Sequence, residues 1–323
     1  MRWALWHRLG SDAKGLRRAF ASLALVLALV SACASWSVPV RSNALVHNDT
    51  NRSYRLYVPE AVRAKGGPVP LVLVLQGALA FPDIMDITHM TEVAEREGFA
   101  VAFPHAAGDL WNDGAVRVLG ANTASDVTFL RRVVADIDAK ELRVDRKRVY
   151  AVGLSNGGTM SLRLACEAAD LFAGVGAIGA AMPVAIAADC RPSAPVSVIV
   201  INGTEDPIVP YRGGSVRVMG VMRFGEVIST DDTMSLWARL NGCGAAAPPV
   251  ALPDKDPRDG SRAVQIDYGG CRGARMRLIR IEGGGHAWPG GLQFMLALVV
   301  GTVNRDIDAG HAAWTFFKES PTR

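Results

Sequence analysis

Charge and aromatic side chains are scarce in this sequence: Asp, Glu, Lys and Arg make up 20% and aromatics 7%, against 50% hydrophobic residues. An apolar share of that size excludes a disordered chain and allows a large buried core. The five cysteines contain no Cys-x-x-Cys pair, so the usual zinc spacing is missing and no metal site is expected. No apolar run reaches the ~20 residues that a membrane-spanning helix needs. The uncharged run Ala19–Val30 has twelve residues, and Leu292–Val300 has nine. Repeats and Pro/Gly/Ser-rich interdomain linkers are missing as well.

A net basic charge is also lacking once the N-terminus is set aside. Arg2, Arg8, Lys14, Arg17 and Arg18 precede the run Ala19–Val30, and a charged start before a short apolar core is the pattern of a signal peptide. The first 32 residues hold five of the 35 Lys/Arg and one of the 31 Asp/Glu, leaving 30 of each in the remainder. The formal charge of +4 therefore belongs to the leader, and net charge gives no case for a nucleic-acid partner. Leu29-Val30-Ser31-Ala32-Cys33 resembles a bacterial lipobox, in which the cysteine is lipidated and becomes the new N-terminus. The expected organisation is a signal peptide over 1–32, lipidated Cys33 with a tether over 33–50, and one catalytic domain over 51–323. An ordinary secretory signal is the alternative. Either places the protein outside the cytoplasm, in the cell envelope through a membrane-bound lipid or secreted. The even set Cys166, Cys190, Cys243 and Cys271 suits that oxidising compartment. Pairing sequence neighbours gives Cys166–Cys190 and Cys243–Cys271.

From residue 51 onward, strand and helix patterns alternate. Tyr54–Val58 alternates as a half-exposed strand, whereas Pro70–Leu75 is continuously apolar, as a strand covered on both faces requires. Ile87–Arg96 has helical spacing, Phe99–Pro104 is a strand, and residues 105–124 form a loop before a helix over Val127–Leu142. The strand ending at Leu154 precedes a helix running to about Ala169. Phe172–Ala181 and Ala194–Ile201 read as strands, Asp231–Leu240 as a helix and residues 244–263 as loop. Met276–Ile281 is a strand, and Ile307–Phe317 is a last helix with Ala312, Ala313, Phe316 and Phe317 buried. This order implies an α/β fold with a mostly parallel central sheet and helices on both faces.

Four inferred strands end in loops with chemical potential, at the edge where open α/β sheets bind ligands. Gly153-Leu154-Ser155-Asn156-Gly157 lies between a strand and a helix, the setting that lifts a nucleophilic serine clear of the sheet. A serine hydroxyl needs a base with pKa near 7, and that imidazole needs a carboxylate to hold its tautomer. His286 sits in the flexible loop Gly283–Gly290, and Asp206 in the turn Thr204–Pro207 beside a solvated Glu205. Of the other histidines, His7 falls in the leader, His47 in the tether, and His89 and His311 in helices. His105 ends a strand and competes with His286. The order Ser155, Asp206, His286 is the α/β-hydrolase order. Backbone N–H groups of Asn156 and Ala78 are the expected oxyanion donors. Trp111 and Trp288 are candidates for an apolar substrate wall, with a core position the alternative for each.

Gly153–Gly158, Asn202–Tyr211 and Gly284–Gly290, with Asp126-Val127 and Phe129-Leu130, resemble the serine-esterase group that includes polyhydroxybutyrate depolymerases and feruloyl or acetylxylan esterases. The resemblance runs from about residue 52 to 318. It implies an α/β-hydrolase fold and carboxylic ester hydrolysis without metal or organic cofactor. One departure is Gln76, where such proteins usually carry His before Gly, which alters how the oxyanion loop is pinned. A peptidase of the same fold, or a catalytically silent binding protein, is the competing reading. Depolymerases of solid polyester generally add a binding module, for which this chain offers no segment. The expected substrates are therefore soluble esters or short hydroxyacid oligomers.

Overall fold

The continuous apolar runs form the centre of one sheet. The computed structural model describes residues 40–78, 82–108, 110–114, 126–218, 220 and 222–322. The expected signal peptide, Cys33 and the first part of the tether lie outside them. In chain order, β1 (Arg41–His47) and β2 (Thr50–Tyr57) make a hairpin, and α1 (Glu60–Lys65) leads to β3 (Val69–Leu75). Then come α2 (Ile84–Thr88), α3 (Met90–Glu97), β4 (Ala100–Pro104), α4 (Asp126–Lys140), β5 (Val144–Leu154) and α5 (Asn156–Glu167). β6 (Gly174–Ile178), α6 (Val184–Ala187) and β7 (Ser197–Gly203) follow, then a separate hairpin of β8 (Gly214–Val218) and β9 (Met222–Val227). The chain closes with α7 (Thr230–Leu240), β10 (Val250–Ala251), β11 (Arg262–Tyr268), β12 (Met276–Glu282), α8 (Ala297–Val300) and α9 (Ala309–Lys318).

The main sheet has the order β1-β2-β4-β3-β5-β6-β7-β12-β11-β10 among the described residues. From β4 through β12 all pairings are parallel, and antiparallel strands complete both edges. Alternation along the central strands feeds two cores. Leu71, Leu73, Ala151, Val175 and Val200 pack with Phe129, Val133, Met160 and Trp237 of α4, α5 and α7. Residues one step out of phase face the other way, where Tyr150 stacks on Phe317 of α9 at 4.6 Å and Phe99 on Trp314 at 4.0 Å. Burial on both faces explains why these strands read as unbroken apolar runs.

Several expectations need correction. The expected tether contains a strand, β1, whose register with β2 runs from Arg41↔Leu56 to His47↔Thr50. Only Leu45 in β1 is buried, so this edge strand carries almost no hydrophobic pattern. The helix expected over Ile87–Arg96 is two helices broken at His89, whose φ of 50° is left-handed. The loop expected over 244–263 contributes β10, and β8–β9 was not foreseen. On the last helix Ala312 is only partly buried, and Trp314 takes its place in the core.

Two disulfides join Cys166 to Cys190 and Cys243 to Cys271, the first tying the end of α5 to the loop after α6. Closing loops of 24 and 28 residues contributes about 3–4 kcal/mol each on the chain-entropy model. A buried ion pair ties the edge hairpin to the centre. Arg52 Nη2 donates to Asp126 Oδ1 at 2.8 Å and to the His105 carbonyl at 3.1 Å, and the guanidinium covers the Phe129 ring at 3.7 Å. The second Asp126 oxygen accepts the Asn112 backbone N–H at 2.7 Å, so one carboxylate anchors β2, α4 and the loop after β4. Asp126→Ala strands the Arg52 charge in the interior and should cost about 3–5 kcal/mol in urea denaturation. Asp126→Ala paired with Arg52→Met should recover most of that loss. A single-variant loss below about 1 kcal/mol would contradict this role.

Candidate active site

Ser155 lies on the turn between β5 and α5 with φ 56° and ψ −122°, a strained conformation for a residue bearing a side chain. Glycines make that turn possible. A Cβ on Gly157 would stand 2.2 Å from the Leu75 carbonyl oxygen, and one on Gly153 would stand 2.3 Å from the Gly157 carbonyl carbon. The start of α5 therefore presses directly on the end of β3. The Ser155 N–H donates to the Ile178 carbonyl at 2.8 Å, and Thr159 N–H donates to the Ser155 carbonyl at 2.9 Å. No hydrogen bond to Ser155 Oγ exists among the described residues.

Asp206 and His286 meet across the ends of β7 and β12. His286 Nδ1 lies 2.7 Å from Asp206 Oδ2, and both side chains are buried. The other carboxylate oxygen, Asp206 Oδ1, accepts the backbone N–H groups of Ile208 and Val209, each at 2.8 Å. Glu205 is exposed, and its N–H donates to the Gly284 carbonyl at 3.0 Å. Thr204 N–H bonds the Ile281 carbonyl at 2.9 Å, and Gly283 N–H bonds Thr204 Oγ1 at 2.9 Å. These bonds zip the two loops together. His286 N–H in turn donates to the Val300 carbonyl at 2.5 Å.

Ala78 and Asn156 border the same space as Ser155. As the first residue of α5, Asn156 contributes an N–H that has no acceptor within the helix. Its side chain faces elsewhere. Asn156 Oδ1 accepts Trp111 N–H at 2.7 Å, while Nδ2 donates to the Trp111 carbonyl at 3.2 Å and to Asp113 Oδ2 at 2.7 Å. Trp111 Nε1 then donates to the Gln76 carbonyl at 3.1 Å, pinning the loop that carries Ala78 through Gln76's backbone.

Two adjacent chambers flank Ser155, with Ala78, Ser155, Ile208 and Val218 bordering both. One holds His286, is walled by Pro82, Ile84, Ile87, Phe294 and Met295, and encloses about 640 Å³ with its open mouth included. The other, about 430 Å³ with its open side likewise included, is walled by Val209, Val216, Phe224 and Val227 and reaches Thr159 and Asp113. The tryptophans expected along the substrate wall are corrected by this geometry: Trp111 and Trp288 are each 1% exposed and border neither chamber. Trp111 is a strut for the loops, and Trp288 packs under the Gly291 turn. The competitor His105 also borders neither chamber. Its Nδ1 lies 3.0 Å from Ser53 Oγ, and burial, with Arg55 nearby, holds its pKa below the usual histidine value.

Other contributors went unread in the sequence. The β8–β9 hairpin supplies a chamber wall. Asn202 brackets Ala180 with bonds of 3.1 and 2.8 Å, and Gly179 leaves room for the imidazole, since a Cβ there would lie 3.2 Å from His286 Nδ1. Gly203 permits the loops to touch, because its Cβ would stand 2.1 Å from the Gly284 carbonyl oxygen.

Comparison with known proteins places this geometry in context. The sequence profile of the family described as "Esterase PHB depolymerase" matches residues 52–248, a span that ends before His286. A protein named esterase NocK, from Nocardia uniformis subsp. tsuyamanensis, is 32% identical over 82% of this chain and 78% of its own. Feruloyl esterase B of Piromyces equi is 31% identical over 61% of this chain but only 35% of its own length. The poly(3-hydroxybutyrate) depolymerase of Ralstonia pickettii is 32% identical over 34% of this chain and 25% of its own. Among solved structures, an acetyl xylan esterase from Aspergillus awamori superposes with a TM-score of 0.56, covering 86% of this chain and 99% of that one at 14% identity. That likeness shows a shared α/β-hydrolase fold.

The zipped loops yield a structural prediction. Gly203→Ala must drive the two loops apart, costing about 1–3 kcal/mol in thermal or urea unfolding. It should also remove the downfield imidazole proton resonance expected for the His286–Asp206 hydrogen bond. A variant with unchanged stability and an unchanged resonance would contradict the contact.

Proposed function

Because the chain belongs to the PHB-depolymerase family of esterases, we propose that it is an exported serine carboxylic-ester hydrolase in which Ser155, His286 and Asp206 form the catalytic triad. The observation that carries this reading is the 2.7 Å His286–Asp206 bond bordering the chamber of a strained elbow serine. Asp206, fixed by two backbone N–H groups, holds Nδ1–H of His286 and leaves Nε2 to take the Ser155 proton. Ser155 Oγ attacks the ester carbonyl, and the oxyanion is received by the N–H groups of Asn156 and Ala78. The alcohol departs with the proton from His286, and water then releases the acid from the acyl-enzyme. The apolar chambers favour soluble esters or short hydroxyacid oligomers over charged substrates.

Export and lipid anchoring belong to the same proposal. The leader and the Leu29–Cys33 motif support them, and the two disulfides suit an oxidising compartment. The wild type should partition into detergent and incorporate a fatty-acid analogue, and Cys33→Ser should do neither. Mature wild-type protein free in the medium and starting beyond residue 33 would overturn the anchor.

Ser155→Ala and His286→Ala should each lower kcat for p-nitrophenyl acetate by at least about 10⁴-fold, and Asp206→Asn by somewhat less. Thermal unfolding of Ser155→Ala should stay close to wild type, because the residue is partly exposed and its hydroxyl makes no hydrogen bond among the described residues. Sustained turnover by purified Ser155→Ala would overturn the mechanism.

A further inference from the structure

The two chambers are chemically distinct because His286 borders only one of them. When the tetrahedral intermediate collapses, the bond between the former carbonyl carbon and the alcohol oxygen breaks. Its electron pair goes to that oxygen, which takes the proton from His286 Nε2, while the acyl group stays on Ser155 Oγ. The leaving oxygen must therefore lie on the His286 side, and the acyl substituent must lie on the other. We propose, resting on the esterase reading above, that the chamber under the β8–β9 hairpin receives the acyl group and limits its size, whereas the His286 chamber receives the alcohol and admits long apolar chains.

The walls differ in the way this division requires. On the acyl side, Val209, Val227, Thr159 and Asp113 are all under 9% exposed, so the chamber ends in packed protein. Val216 and Phe224 of the hairpin, both partly exposed, complete its lining. On the alcohol side the lining reaches solvent: Met295 borders the chamber and is 42% exposed, and Leu296 at 76% and Leu298 at 94% are exposed in the same segment. No Asp, Glu, Lys or Arg occurs from Gly283 to Asn304, so nothing charged interrupts this surface within its own segment. Its base is stapled by Gln293, whose Nε2 donates to the Met295 and Gly301 carbonyls and whose Oε1 accepts Val303 N–H. The segment is also bound to the catalytic loop through the His286 N–H and Val300 carbonyl. An alkyl chain on the alcohol side thus extends toward exposed apolar side chains, whereas an acyl chain runs against buried ones.

Ile208 and Val218 border both chambers and form the partition between them. Ile208 also donates its N–H to Asp206, so the divider is built on the same turn as the proposed catalytic acid.

The test compares kcat/KM along two homologous series, p-nitrophenyl esters of lengthening acyl chain and acetates of lengthening alkyl alcohol, all below their aggregation limits. Along the alcohol series kcat/KM should rise, by up to about fourfold per methylene that is covered. In the acyl series it should fall once the chain exceeds the hairpin chamber. Phe224→Ala should extend the tolerated acyl length, Val216→Trp should shorten it, and Met295→Asp should flatten the rise along the alcohol series. Because Phe224→Ala and Val216→Trp shift acyl preference in opposite directions, general damage to the fold cannot imitate the pair. An active wild type with the two profiles exchanged, or hairpin variants that alter alcohol preference instead, would overturn the assignment while leaving the esterase reading intact. A wild type that hydrolyses none of these esters would overturn the esterase reading and this inference with it.

Discussion

The contact between the start of α5 and the end of β3 is the constraint on which the site depends. Gly157 lies so close to the Leu75 and Gln76 carbonyls that no side chain fits between them. That approach brings Asn156, at the helix start, and Ala78, on the loop after β3, to the same chamber as Ser155, which sits at positive φ. The strain of such a residue, of order 1–3 kcal/mol, persists only where surrounding structure over-determines it. Here the Ser155 N–H bond to β6 and the Asn156–Trp111–Gln76 chain of hydrogen bonds supply that restraint.

The same device recurs at the other half of the site. Gly203 allows backbone contact between the loops after β7 and β12, and a ladder of backbone bonds then holds Asp206 against His286. Three side chains far apart in sequence converge because β5, β7 and β12 run parallel and end at one edge of the sheet. Chemistry is assigned to the residues and not to the fold, which hosts many activities. In the proposed reaction the fold supplies pre-organisation, so that little rearrangement is needed when charge develops on the substrate.

The central strands were legible because burial on both faces leaves an unbroken apolar run, as in Leu71–Leu75 and Val198–Ile201. The candidates Ser155, Asp206 and His286 stood out because each follows a strand pattern in a glycine- or turn-rich loop, although the strand before His286 interrupts its apolar residues with Arg277 and Arg280. What escaped was structure without its own hydrophobic signal. β1 buries only Leu45, and β8 has no buried residue, so neither shows a pattern that separates strand from loop. The role of Trp111 was misread for a related reason. Sequence shows that an indole is present, but only the fold shows its N–H directed at the Gln76 carbonyl and its ring in the core. The steric roles of Gly179 and Gly203 were likewise invisible, since the need for a missing Cβ arises only when segments distant in sequence come together.

The central claim is that Ser155 carries the acyl group during turnover. Rapid acid quenching of wild-type protein turning over p-nitrophenyl acetate, followed by peptide mass spectrometry, measures this directly. The account predicts one acetyl group on the peptide containing Ser155, formed in step with a burst of p-nitrophenol. Turnover without that adduct, or an adduct on a different side chain, would contradict it.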